Sequence, residues 1–221
     1  MTEPGQLTAS RLVDGPEQAP ATLLLAHGAG APMDSPFMAG MAEGLAGLGW
    51  RVVRFEFPYM TRQRLSGRRA APDRMPKLME AFRQQVALEQ GGAPLIIGGK
   101  SMGGRVASLL ADELAVGAGV LGCCCLGYPF HPIGKPQQTR LEHLQPLRTP
   151  TLIVQGERDG MGRRSEVEAY GLSDRVTLHW ITDGDHSFKP SRRSGLSEAG
   201  NRAEAVSAVD RFGHSLLKAP C

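Results

Sequence analysis

Aromatic side chains are scarce in this sequence of 221 residues, where phenylalanine, tryptophan and tyrosine together make up 5% of the chain. Proteins that bind single-stranded nucleic acid stack the bases on aromatic side chains, and no such platform is visible here. The formal net charge of +3 is also small, so it provides no general attraction to nucleic acid or to an anionic membrane. We therefore expect neither nucleic acid nor a membrane as a partner.

Long apolar runs are lacking as well. Residues 1–6 contain no basic stretch, and the first apolar run, residues 21–26, is too short for the core of a signal peptide. The longest uncharged stretch, residues 114–130, is interrupted by glycines and a proline, which favours a buried strand with its turns over a membrane span. These features predict a cytoplasmic protein that is a monomer or a dimer.

Cysteine is rare, and three of the four cysteines are consecutive, Cys123, Cys124 and Cys125. Successive residues of a strand point to opposite faces of the sheet, so these thiols do not form a compact metal site. No pair of histidines has the His-x-x-x-His spacing typical of zinc ligands. We expect small buried thiols, no metal and no cofactor.

Apolar strand-like segments alternate with segments of helical periodicity along almost the whole chain. The predicted strands are residues 22–26, 51–57, 95–98, 119–126, 151–155 and 176–180. The predicted helices lie near residues 37–48, 75–90, 102–114, 164–170 and 198–217. This order predicts one α/β domain over residues 1–221, with a mostly parallel twisted central sheet and helices on both faces.

Polar and glycine-rich segments follow four of the predicted strands. They are residues 27–30 (His-Gly-Ala-Gly), 99–103 (Gly-Lys-Ser-Met-Gly), 156–159 (Gly-Glu-Arg-Asp) and 183–186 (Asp-Gly-Asp-His). In open parallel sheets, ligands bind beyond the carboxyl ends of the strands. A serine, acids and histidines are therefore expected to gather at one edge of the sheet.

The segment around Ser101 fits the pattern Gly-x-Ser-x-Gly between a strand and a helix. This context is typical of a nucleophile held on a sharp turn, with glycines where neighbouring strands approach closely. The same serine could instead simply cap the helix that follows. Lys100, inside the pattern, is expected to point to solvent or to a neighbouring helix.

A serine hydroxyl needs a base, and His186 is the best candidate because it follows a predicted strand late in the chain. The imidazole in turn needs a carboxylate, and Asp159 follows the strand before that one. The order Ser101, Asp159, His186 is the one expected for such a triad in this kind of fold. Glu157 and Asp183 remain alternative acids.

These four segments together resemble the α/β-hydrolase superfamily, and in particular its small lidless bacterial branch related to dienelactone hydrolases. The resemblance covers roughly residues 20–217. It implies that the backbone N–H groups of Ala29 and Met102 form the oxyanion hole. His27, in the same loop as Ala29, is expected to be a structural residue or a residue of the oxyanion loop that packs near Ser101. About 25 residues separate Leu126 from Thr151, which leaves no room for a lid of several helices.

Arginines are concentrated in the segment after the second predicted strand, where Arg62, Arg64, Arg68 and Arg69 occur within eight residues. Guanidinium groups bind carboxylates and phosphates in a fork, so this basic loop is a candidate substrate site, with a solvated surface loop as the alternative. His131, which follows another strand, is a further candidate for the pocket wall.

The residues and the resemblance together predict a serine hydrolase that cleaves a carboxylic ester or thioester of a small soluble substrate, with anionic substrates among the candidates. Ser101 would form an acyl-enzyme, and His186 would then activate water. Two alternatives stay open: an interaction module on a hydrolase fold with weak or no activity, and an acyltransferase that uses the same triad.

Overall fold

The structure is a computed structural model that describes residues 11–218. Its strands form one sheet in the order β1-β3-β2-β4-β5-β6-β7. They are β1 (Arg11–Asp14), β2 (Thr22–Ala26), β3 (Arg51–Phe55), β4 (Leu95–Lys100), β5 (Val120–Leu126), β6 (Thr151–Gly156) and β7 (Val176–Ile181). Every neighbouring pair is parallel except β1 and β3. The predicted mostly parallel sheet is confirmed. Residues 1–6, used above for the prediction of localisation, lie outside the described residues.

The central strands are apolar on both faces because helices cover both sides of the sheet. All residues of β2 and β4 are buried. The helices are α1 (Pro36–Gly47), α2 (Pro58–Ser66), α3 (Met75–Ala87), α4 (Met102–Ala118), α5 (Arg164–Val167) and α6 (Glu198–Lys218). Residues of α1 and α6 pack with one face of the sheet, and residues of α2 to α5 pack with the other.

The three consecutive cysteines follow the alternation of β5. Cys123 and Cys125 are buried in the core beneath α3 and α4, whereas Cys124 is buried in the core beneath α1 and α6. The prediction of small buried thiols on opposite faces is confirmed for these residues.

Two elements differ from the prediction. The short edge strand β1 pairs antiparallel with β3, and its exposed residues gave no apolar run. The segment after β3, expected to be a loop, begins with the helix α2. This helix starts at Pro58 and is followed by Gly67 in the left-handed conformation. Helix α2 was not predicted because few of its residues are apolar, although a proline at the start and a glycine after the end are helix signals. The connection of residues 127–150 contains no helix.

That same connection is where a lid would be inserted, and it consists of turns and bends. The carboxyl ends of β2, β4, β6 and β7 are therefore not covered by an inserted domain. Among the described residues, no helix combines the length and apolar character needed to cross a membrane.

Candidate active site

Ser101 lies on the turn that joins β4 to α4, and its backbone has φ 51° and ψ −112°. A residue with a side chain rarely adopts this conformation, so the turn is strained. It is possible because Gly99 and Gly103 allow the chain to press against β2: a Cβ atom on either would lie 2.3 or 2.4 Å from the carbonyl oxygen of Ala26. These close approaches explain the glycines of the sequence pattern.

The structure brings Ser101, His186 and Asp159 together from three strand ends. The hydroxyl of Ser101 donates to Nε2 of His186 over 2.9 Å. The proton of His186 is then on Nδ1, which donates to Oδ2 of Asp159 over 2.7 Å. This chain of hydrogen bonds is the arrangement in which a base can take the serine proton while a carboxylate orients it.

The carboxylate of Asp159 is fully buried and is held from two further sides. The backbone N–H of Met161 donates to Oδ1 (2.8 Å), and Nε2 of Gln155 donates to Oδ2 (2.9 Å). Gln155 also accepts a hydrogen bond from the backbone N–H of Tyr128 (2.7 Å). The carboxylate orientation is thus set by groups from β6 and from the end of β5, before any substrate binds.

The alternative acids lie elsewhere. Glu157 pairs with Arg164 (2.9 Å) and accepts the N–H of Asp183 (3.0 Å). Asp183 pairs with Arg158 (2.7 Å). Both carboxylates shape the loop that carries His186, and Asp159 is the one that contacts its ring.

Lys100 does not point to solvent. Its side chain is buried beside the triad, where the ammonium donates to the carbonyl oxygen of His186. The rings of Phe37 and Phe188 lie 5.1 and 6.0 Å from Nζ, a distance at which aromatic faces attract a cation. Burial lowers the pKa of Lys100 to about 8. Lys100 therefore ties the loop of His186 to the residue before the serine.

His27 and Tyr59 hold the loop that follows β2. The N–H of Phe57 donates to Nε2 of His27 (3.1 Å), so Nδ1 carries the ring proton and donates to the carbonyl of Gly28 (2.7 Å). The hydroxyl of Tyr59 donates to the carbonyl of Ala29 (2.9 Å). The peptide bond between Gly28 and Ala29 is planar and trans, so its N–H and C=O groups point in opposite directions. The carbonyl of Gly28 points to the buried His27, and the N–H of Ala29 therefore points away from that ring. Burial lowers the pKa of His27, in agreement with a neutral structural ring.

The two N–H groups proposed for the oxyanion hole are free. Among the described residues, neither Ala29 nor Met102 donates a backbone hydrogen bond outside regular structure. Met102 is the first residue of α4, whose first N–H groups have no partner in the helix and lie at its positive end. Ala29, Ser101 and Met102 all line one cavity, so both donors are available near the serine.

This cavity, here called the serine cavity, has a volume of about 310 Å³. It is lined by Ala29, Asp73, Met75, Leu78, Ser101, Met102, Arg105, Pro129, Arg140 and Met161. A second cavity of about 910 Å³ also has Ala29 in its wall and extends along α2. The walls of the two cavities share Ala29.

The four arginines of the basic segment separate in the structure. Arg64 and Arg69 line the larger cavity, but Arg64 is paired with the buried Glu56 (2.5 Å) and with Asp34 (2.9 Å). Arg62 is paired with Asp73 (2.8 Å). Neither Arg62 nor the exposed Arg68 lines either cavity. The prediction of a common arginine pocket is therefore not matched by the geometry.

His131 is also outside both cavities. Its side chain is buried, Nδ1 lies 2.9 Å from the carbonyl of Pro132, and Nε2 lies 3.5 Å from a carboxylate oxygen of Glu166 on α5. The ring faces α5 rather than the serine because the chain turns after Phe130. His131 connects a loop to a helix and does not form the pocket wall.

Several residues around the site escaped sequence reasoning. Gln155 and Lys100 are polar residues inside buried strand segments, and that contrast was the available signal. Arg105 lies four residues after Ser101 in a predicted helix, so it shares the face of the serine. Arg140 lies in an irregular connection, for which the sequence offered no signal.

The fold and this site are those of alpha/beta hydrolases: a mostly parallel sheet with a serine on the turn between a strand and a helix. A sequence model of the alpha/beta hydrolase domain matches residues 19–214. The chain belongs to the alpha/beta hydrolase family.

Solved structures share the fold over nearly the whole chain. The lidless serine hydrolase XC6422 from Xanthomonas campestris is 19% identical, with a TM-score of 0.66, and the match covers 96% of this chain and 98% of that one. A dienelactone hydrolase from Anabaena variabilis is 22% identical, with a TM-score of 0.65 and coverages of 96% and 91%. Est1E from Butyrivibrio proteoclasticus is 14% identical, with a TM-score of 0.65 and coverages of 95% and 94%. The predicted resemblance to lidless hydrolases is confirmed.

Proposed function

We propose that this protein hydrolyses a carboxylic ester or thioester of a small substrate through an acyl-enzyme on Ser101. The observation that carries the proposal is the hydrogen-bonded chain from the Ser101 hydroxyl through His186 to the buried Asp159, at 2.9 and 2.7 Å. The strained turn presents the serine at the wall of a cavity that also contains two free backbone donors. Each part has a role in acyl transfer.

In the first half-reaction, Oγ of Ser101 attacks the carbonyl carbon and its proton passes to Nε2 of His186. Asp159 stabilises the resulting imidazolium, and the N–H groups of Ala29 and Met102 bind the anionic oxygen of the tetrahedral intermediate. Each such donor contributes roughly 3 kcal/mol to the transition state. The bond to the leaving alcohol or thiol breaks, and that group takes the proton from Nε2.

In the second half-reaction, His186 removes a proton from water, and the hydroxide attacks the acyl carbon. The bond to Oγ of Ser101 then breaks, the serine recovers its proton from His186, and the carboxylic acid leaves. Because His186 acts first as a base and then as an acid in both halves, its ring must keep one orientation. The hydrogen bonds to Asp159 and from Lys100 to the loop supply that orientation.

The substrate range follows from the cavity. About 310 Å³ around Ser101 accommodates a short acyl group, at the lower end of the volumes of small-molecule pockets. The similar dienelactone hydrolase acts, by its name, on a lactone, which is a cyclic carboxylic ester. A short ester or thioester is the substrate class that this site supports best.

The first experiment is intact mass spectrometry after incubation of the folded protein with a fluorophosphonate, with Ser101→Ala as the matched control. We expect one adduct on the wild type and none on the variant. Turnover of a short p-nitrophenyl ester should fall by several orders of magnitude in Ser101→Ala, because the triad works as a unit, while circular dichroism shows both proteins folded.

The absence of an adduct on folded wild-type protein would contradict the proposal and favour the interaction module. Unchanged ester turnover in Ser101→Ala would exclude this serine as the nucleophile. Product analysis in the presence of added alcohol separates hydrolysis from acyl transfer, since a transferase would yield mainly the new ester.

A further inference from the structure

Two arginines that no motif singled out line the serine cavity. Arg105 is on α4, four residues after Ser101, and its backbone N–H donates to the carbonyl of Ser101 (3.0 Å). Arg140 comes from the connection between β5 and β6. Both side chains are only partly exposed, so two positive charges stand at the wall of the cavity that contains the nucleophile.

Neither guanidinium is neutralised by the protein. In residues 11–218, no carboxylate forms an ion pair with Arg105 or Arg140. Nε of Arg105 is buried and has no hydrogen-bond partner. One Nη of Arg140 reaches only the carbonyl of Pro129, at 3.4 Å. Most of the donors in these two forks are therefore unused.

The acid of the cavity wall, Asp73, is bound by cations at one oxygen, while its other oxygen, Oδ2, is buried without a hydrogen-bond partner. Its Oδ1 is bound by Arg62 (2.8 Å) and by Lys77 (3.3 Å). Asp73 therefore brings no net negative charge to balance Arg105 and Arg140. The wall of the serine cavity keeps a positive excess on the side of α4.

The positive excess changes the pKa values of neighbouring groups. The pKa of Arg140 is lowered by burial and by the charge of Arg105. Burial and Arg105 also lower the pKa of His143 to about 4, so that ring is neutral at physiological pH and its Nε2 lies 2.9 Å from the hydroxyl of Ser108. Unpaired like charges in a partly desolvated place are unfavourable unless an anion joins them.

We infer that Arg105 and Arg140 bind an anionic group of the substrate, a carboxylate or a phosphate, next to the ester that Ser101 attacks. This inference rests on the proposed function and specifies its substrate class. The guanidinium groups supply forked donors that match two oxygens of such an anion. Of the arginines in the segment after β3, Arg62 and Arg64 are occupied by acids, and Arg68 and Arg69 do not line the serine cavity.

The spacing limits the substrate. Four helical residues correspond to a rise of about 6 Å, so the anionic group lies only a few bonds from the scissile carbonyl. Short half-esters of dicarboxylic acids have this length, and so do acyl esters of short phosphorylated alcohols. Long neutral acyl chains do not match a cavity of about 310 Å³.

The test compares charged esters with neutral partners of similar size. Monoethyl succinate is paired with ethyl butyrate, and 2-acetoxyethyl phosphate with 2-methoxyethyl acetate, with acid release followed by pH-stat titration. For wild-type protein we expect kcat/KM to be at least about tenfold higher for one charged ester than for its neutral partner, as a charge-assisted contact provides. The pair that shows the preference identifies carboxylate or phosphate.

Variants of the two arginines test whether these side chains cause the preference for the charged ester. In Arg105→Met and in Arg140→Met, the ratio of charged to neutral kcat/KM should fall towards one. Arg105→Lys keeps the charge but loses the fork, so an intermediate ratio is expected. Arg148→Met, which removes the same charge from a side chain 84% exposed and outside the serine cavity, should keep the wild-type ratio.

A binding measurement separates this inference from the proposed function. Calorimetry of Ser101→Ala with succinate and with inorganic phosphate should detect binding of one anion, reduced at least about tenfold by Arg105→Met in the same background. Wild-type protein that cleaves neutral and charged esters equally, or a preference that survives both arginine variants, would overturn the inference while leaving the hydrolase intact. Anion binding without serine labelling would instead contradict the proposed function alone.

Discussion

Charged groups are arranged differently at the strand ends around Ser101 and along α2. Around Ser101, the charged side chains of Asp159 and Lys100 are buried and are held by partners distant in sequence. Along α2, Arg62 and Arg64 are partly exposed and pair with nearby acids. The difference indicates two uses of charge: orientation of reacting atoms in the first region and attachment of a helix in the second.

The largest effect that would test this division is expected from Asp159→Asn. The amide no longer enforces the Nδ1-protonated tautomer of His186, and it does not stabilise the imidazolium, so kcat should fall about 10⁴-fold. Steady-state kinetics with a short p-nitrophenyl ester measure it. Asp183→Asn, the same change at the alternative acid, should cost less than about tenfold. Equal losses in the two variants would contradict the assignment of Asp159.

A smaller effect, on stability instead of rate, is expected from Arg64→Met. It leaves the carboxylate of Glu56, which is fully buried, without its cation. Breaking such a pair should lower the free energy of unfolding by about 2–3 kcal/mol, less than for a wholly buried pair because Arg64 itself is 41% exposed. Urea denaturation measures it, and Arg68→Met should change the value by less than about 0.5 kcal/mol. Equal values for the two variants would refute the role of the Glu56 pair.

The smallest effect is expected for Lys100, through the pH dependence of the free energy of unfolding. The pKa of Lys100 is about 8 in the folded state, below its usual value of 10.5. The unfolded chain therefore binds more protons between these values, and Lys100 makes the free energy of unfolding rise with pH in this window. Relative to Lys100→Met, the wild type should gain about 1–2 kcal/mol between pH 7 and pH 9.

Urea denaturation of both proteins at pH 7, 9 and 10 measures this change, and the difference between them removes the contribution of other titrating groups. A difference that stays constant over the window would mean that the ammonium of Lys100 is not desolvated. A change in the opposite direction would mean that an acid stabilises it.

Much of the fold was predictable because apolar periodicity records burial directly. The alternation of strands and helices placed Ser101, Asp159 and His186 at one edge of the sheet, and parallel strands necessarily bring their carboxyl ends together. Helix α2 was not predicted because only its first turn, with Tyr59 and Met60, is buried in the apolar core, while its arginines pair with the acids Asp73 and Glu56. Periodicity cannot reveal a helix whose apolar face is only one turn long.

The surroundings of the site were less predictable because they, too, depend on the pairing of charged side chains and not on apolar periodicity. The availability of an arginine depends on which carboxylates reach it in three dimensions. Arg64 looked free in the sequence and is bound by Glu56, eight residues away in the connection between β3 and α2. Arg140, for which the sequence offered no signal, lines the serine cavity. Pairing of this kind depends on irregular connections, whose course no short pattern specifies.

The hydroxyl of Tyr59 sets a boundary for anyone who wishes to redesign this protein. Tyr59 is the second residue of α2, and its bond to the carbonyl of Ala29 connects that helix to the peptides that carry the proposed oxyanion donor. Residues 65–72, which exclude the paired Arg62 and Arg64, can be exchanged to build new substrate contacts along the larger cavity. The first turn of α2 has to be kept, because grafts that move it would lower the catalytic rate even when they bind the new substrate well.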